Sequence, residues 1–70
     1  MKHSQAELES IVQSANARKR RNKLLTASDW TQVADAPVDK AAWATYRQAL
    51  RDISAQAGFP ATVVWPTQPV

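Results

Sequence analysis

Seventy residues leave room for one small domain and exclude a large catalytic fold, since independent domains run from about 50 to 200 residues. The hydrophobic share is 44%, much of it alanine, and the bulky side chains are few: three Trp, one Tyr, one Phe and one Met beside some Leu, Ile and Val. With a formal charge of +3 and no cysteine, disulfides, thiolate metal sites and cysteine nucleophiles are excluded, so a core this thin needs help from outside the chain.

The first predicted element is a helix over about 5–27. Leu8, Ile11, Val12 and Ala15 follow the i, i+3, i+4, i+7 spacing of one helix face, and Ser4-x-x-Glu7 has the form of a capping box. Continued toward Leu25, that stripe is interrupted by Arg18 and Asn22, where a basic cluster begins. Arg18, Lys19, Arg20, Arg21 and Lys23 are five of the nine basic residues, and in the last turns of the helix they would face the negative end of its dipole. Leu24 and Leu25 then lead into Ser28 and Asp29, which favour turns and caps. Residues 31–37, directly after Trp30, read as an irregular connection with Pro37 at its end.

Asp39 is the expected N-cap of a second helix over about 40–57, with Lys40 in its first turn. Trp43, Tyr46, Leu50 and Ile53 form one seam along it, while Arg47, Arg51 and Asp52 occupy other faces. Gly58 is placed to take the left-handed conformation beyond the helix end, which would bring Phe59 back onto Ile53, and Pro60 prevents continuation. Ala61-Thr62-Val63-Val64-Trp65 is a short β-branched and aromatic run between two prolines, strand-like over 61–65. No second strand is evident, so its backbone groups must be hydrated, or paired with residues 30–36, or paired with a strand of another protein. The fold class expected is mainly α, with two helices, a Trp-containing connection and an extended end.

Taken together, Arg21-Asn22-Lys23-Leu24-Leu25-Thr26-Ala27-Ser28-Asp29-Trp30-Thr31-Gln32, Asp35-x-Pro37, Trp43-x-x-Tyr46-Arg47-Gln48-Ala49-Leu50-Arg51-Asp52-Ile53, Gly58-Phe59-Pro60 and Val64-Trp65-Pro66 resemble the bacteriophage tail assembly chaperone family. The same module is similar to the C-terminal part of many tail fibre assembly proteins. The resemblance runs from about Arg18 to Pro69, which divides the chain into residues 1–17 outside it and 18–70 as the module. Modules of this kind often carry a proline just after the Asp-Ile pair of the second helix. Here Ser54-Ala55-Gln56-Ala57 stands in its place, which implies a longer helix. The resemblance implies a non-enzymatic helper or component of tail assembly. Its partner would be a tail, tail fibre or baseplate protein, in the host cytoplasm during assembly or in the virion tail.

The residues themselves sort into a scaffold and a binding set. Leu24, Leu25, Trp43, Tyr46, Leu50, Ile53, Gly58 and Phe59 are the expected core or scaffold. Trp30 and Trp65, on irregular segments, are candidates for partner contact because Trp is enriched in binding hot spots. Val63 and Val64 join them as strand-edge surface. Asp29 reads as a turn former or as the partner of a guanidinium, because Arg47 and Arg51, one turn apart, can each hold a carboxylate bidentately, whether of Asp29, Asp35 or another protein.

Catalytic and metal chemistry find no support. His3 is the one imidazole, so a zinc site would need it together with carboxylates alone. Glu7 and Glu9 do not share a helix face, and neither they nor Asp39 with Asp52 have a pocket-sized domain to tune them. No cofactor is expected. No apolar run reaches membrane-spanning length, and Met1-Lys2-His3 is not followed by the apolar stretch of a signal peptide, so the chain reads as cytoplasmic with no membrane partner. The basic cluster raises nucleic acid as a rival partner, but its residues wind round a helix with no interleaved aromatic, so a small nucleic-acid-binding regulator ranks behind tail-protein binding. A structural subunit retained in the tail, and self-association through the first helix, complete the alternatives.

Overall fold

A computed structural model describes residues 3–69; Met1, Lys2 and Val70, at the outer limits of the 1–17 and 18–70 divisions, lie outside the described residues. The chain is mainly helical, and no strand occurs among the described residues. Helix α1 spans Gln5–Ser28 and runs straight into a 3-10 turn, Asp29–Gln32; helix α2 spans Lys40–Arg51 and tightens into a second 3-10 turn, Asp52–Ala55.

Each helix begins where a short polar side chain satisfies a free backbone N–H. Ser4 Oγ accepts from the Glu7 N–H at 3.1 Å, and Asp39 Oδ1 accepts from the Ala42 N–H at 3.1 Å. The capping box at Ser4 is only half made, since the Glu7 carboxylate lies 3.0 Å from His3 Nδ1. At its other end α1 carries no basic residue in its last turn, because the helix continues past the cluster to Ser28. The expectation that the cluster faces the negative helix end is thus corrected, and a guanidinium from α2 takes that place.

Trp43, Tyr46 and Leu50 form the centre of the core, with Leu24, Leu25, Val38 and Trp65 packed against them. The Trp43 and Tyr46 rings meet edge to face, centroids 5.6 Å apart, a favoured aromatic geometry. Leu50, Ile53 and Thr31 are fully buried. Thr31 is tolerated there because its hydroxyl donates to the Ser28 carbonyl at 2.6 Å and in turn accepts from the Gln32 amide at 3.1 Å.

Three expectations about the second half are corrected. Helix α2 does not reach residue 57: the Asp52 N–H is shared between the Gln48 and Leu50 carbonyls, the chain tightens, and Gln56 turns to extended backbone. Gly58 is not left-handed. Glycine is required there by proximity, because a Cβ at Gly58 would lie 2.8 Å from the Thr62 carbonyl oxygen, while the Thr62 N–H donates to the Gly58 carbonyl at 2.8 Å. No strand forms over 61–65, where a turn running through Ala61 gives way to irregular backbone. In place of a strand neighbour, the Gln56 side chain donates to the Val64 carbonyl and accepts from the Val64 N–H, both at 2.8 Å. An amide side chain offers one donor and one acceptor side by side, as a peptide unit does, and substitutes for one rung of a ladder.

Candidate functional site

The junction between the helices is built around Arg47. Its residue is 8% exposed, and its guanidinium donates through Nη1 to the Leu25 carbonyl at 2.7 Å and to Ser28 Oγ at 2.8 Å. Nη2 donates to Asp29 Oδ1 at 2.7 Å. The Ser28 hydroxyl in turn donates to the Leu24 and Leu25 carbonyls, 2.8 and 3.2 Å away. A cation of α2 thus sits at the C-terminal end of α1, where unpaired carbonyls and the helix dipole favour positive charge. Of the two carboxylates considered for Arg47, it is Asp29 that pairs with it. The Asp29 side chain is 64% exposed, so the ion pair itself adds little, and the buried hydrogen bonds to carbonyl and hydroxyl hold the joint.

Beside this joint stands Trp30, on the first 3-10 turn. Its ring packs on buried Trp43, centroids 6.3 Å apart, and the residue is still 51% exposed. Val33, whose N–H donates to the Trp30 carbonyl at 3.4 Å, is exposed to the same degree. Asp29, Trp30 and Val33 therefore offer a polar and apolar patch held rigid from beneath. Arg51 is exposed on α2 and is not drawn into the Arg47 network.

The other candidate residues lie on the C-terminal segment. Trp65 is half-buried against the core with the Arg20 guanidinium over its ring at 4.3 Å. Phe59 is half-buried beneath the Arg18 guanidinium at 5.6 Å. The basic cluster thus meets aromatic rings after all, and they come from its own chain, about forty residues on, rather than from within the cluster. Each contact of this kind contributes on the order of 0.5–1 kcal/mol at an exposed site. Between α1 and the segment runs an open groove of about 310 Å³, lined by Gln13, Asn16, Ala17 and Arg20 on one side and by Pro60, Val63 and Trp65 on the other. Val64 points out of it, 73% exposed, its backbone held by Gln56.

Sequence reasoning missed three members of this arrangement. Ser28 was read as a turn former only, although a serine beside Asp29 and near a lone interior arginine is the kind of hydroxyl such an arginine needs. Gln56 and Val33 carried no local signal. Among the described residues no helix is long and apolar enough to cross a membrane, and no group of three potential metal ligands occurs.

The chain matches the family model described as "Phage tail assembly chaperone protein" over residues 14–70, which takes in the Arg47 joint, Trp30 and the whole C-terminal segment. No curated protein and no solved structure matches it. Most of the chain lies inside that match, and the chain belongs to the phage tail assembly chaperone family.

Proposed function

We propose that this protein binds a tail, tail fibre or baseplate protein while the phage tail is being built, acting as a non-enzymatic chaperone or adaptor in the host cytoplasm. The observation that carries the reading is Trp30: a chain with five aromatic residues leaves half of one tryptophan in solvent while fixing its ring on Trp43. A rigid, half-exposed indole loses little freedom on docking and supplies a large apolar contact. Val33 and Asp29 border it. Arg47 acts from beneath by keeping the turn that carries Trp30 in place; Val63, Val64 and Trp65 form a second contact region along the groove and the C-terminal segment, and Arg51, exposed on α2, is a separate contact candidate.

Co-expression of the chain with each tail protein of its phage, followed by affinity capture and quantitative mass spectrometry, tests this. Capture of one tail protein by the wild-type chain, lost by roughly tenfold or more with Trp30→Ala, supports the reading. Equal capture by both variants removes Trp30 from the interface. The same measurement on purified particles separates the two roles: a fixed ratio to tail proteins in particles means a retained subunit, and presence in lysate alone means a helper that leaves.

A further inference from the structure

Helix α1 has two working faces. At about 100° per residue, Ala17, Leu24, Leu25 and Ser28 share the side that packs on α2 and the C-terminal segment, and all four are buried or half-buried. Leu8, Ile11, Val12 and Ala15 lie roughly 150° away from it. Among the described residues nothing covers them: Ile11 and Val12 are 52% and 56% exposed, and a shallow groove of about 240 Å³ runs past Leu8 and Val12.

The charges at the two ends of the stripe have opposite sign. Glu7 and Glu9 flank its N-terminal end, while Arg18 and Lys19 follow its C-terminal end. Glu7 and Arg18 fall on the same edge of the stripe by helical geometry, about 20° apart in projection. A face that is acidic, then apolar, then basic is complementary to itself when turned end for end. Antiparallel pairing sets acid against base and apolar against apolar, whereas parallel pairing sets each charge against its like. The rest of the molecule leaves room, since it lies on the far side of α1 from about Gln13 onward, so two copies would carry their modules outward at opposite ends. Among the described residues the Glu7 carboxylate is held by the exposed His3 at 3.0 Å, a contact that is easily exchanged.

We propose that this face of α1 docks on the same face of a second copy, antiparallel, with a two-fold axis crossing the stripe next to Val12, midway along the helix between Glu7 and Arg18, that brings Glu7 of each copy opposite Arg18 of the other. Four apolar residues a side make a small interface, so dissociation is expected on the order of 100 μM.

Sedimentation equilibrium of the full chain from about 10 μM to about 1 mM tests this, with dimers forming over that range and weakening roughly tenfold when salt rises from about 0.05 M to about 0.5 M. Ile11→Glu should stay monomeric throughout, with its circular dichroism unchanged because Ile11 is half-exposed in the single chain. Glu7→Arg and Arg18→Glu should each weaken the dimer, and the two combined should restore it. That rescue reads orientation, and it does so even though Arg18→Glu alone also removes the contact with Phe59. A wild-type chain that remains monomeric at the highest concentration overturns the proposal and leaves the stripe to the tail protein or another partner. A dimer that survives Ile11→Glu places the interface elsewhere, and a dimer without charge rescue overturns the antiparallel arrangement.

Discussion

Taking away the Arg47 guanidinium would leave the Leu25 carbonyl and the Ser28 hydroxyl, both drawn out of water, short of a strong donor. Arg47→Leu should therefore destabilise the chain by about 2–4 kcal/mol, and Arg47→Lys by about 1–2, since an ammonium cannot reach carbonyl, hydroxyl and carboxylate together. Asp29→Asn should cost under about 1 kcal/mol, because that carboxylate is mostly in solvent. Thermal unfolding ranks the three. The tryptophans should divide in the same assay: Trp65→Ala removes a half-buried ring from the core edge and should cost about 2–3 kcal/mol, while Trp30→Ala should cost about 1 or less. Gly58→Ala should destabilise by about 1–2 kcal/mol through the approach of its new methyl to the Thr62 carbonyl, and an unchanged melting temperature would mean that the turn opens freely. An Arg47 partnership with Asp29 was among the pairings open to sequence reasoning. The carbonyl and hydroxyl partners were not, since a backbone oxygen leaves no mark in a sequence.

At the level of elements, starts were more legible than ends. Ser4 and Asp39 mark their helices by side-chain chemistry acting within three residues, so the sequence carries the whole of the interaction. The end of α2 depends on how Asp52 to Gln56 settle against the following turn and on Gln56 reaching Val64, and neither is local. The periodicity of α1 located the helix but merged two faces into one, because Leu25 was joined to the Leu8 stripe although it turns toward α2. This separation of faces yields a prediction. Removing residues 1–12 should shorten the helical circular dichroism signal by roughly two turns and shift the melting temperature by no more than a few degrees, since the buried residues of α1 begin at Ala17. A collapse of the melting transition would mean that the free half of α1 supports the core after all.

For the molecule as a whole, composition foretold a thin core, and the structure agrees, with three residues at its centre and a half-buried ring of neighbours. What composition could not tell is where the basic cluster is directed. Arg18 and Arg20 lie over the rings of Phe59 and Trp65, so part of the positive charge fastens the C-terminal segment to α1. Nucleic acid binding, if it were the function, would weaken steeply with salt. Gel-shift titration at low and moderate salt is expected to give no specific complex with duplex DNA or with RNA, and a saturating salt-sensitive shift would reverse the ranking of the two partners.

The free half of α1 also fixes how the molecule moves through solution. The chain measures 52 × 19 × 15 Å, with a radius of gyration of 14.9 Å, where about 11 Å is usual for a compact domain of this length. A compact protein would need about 150 residues to match that radius, roughly twice the chain. A single copy should therefore emerge from a sizing column early, near the place of a compact dimer, and its rotational diffusion should be strongly anisotropic, slowest for the amide vectors lying along α1. Only a mass measurement, and not a size, can count its copies.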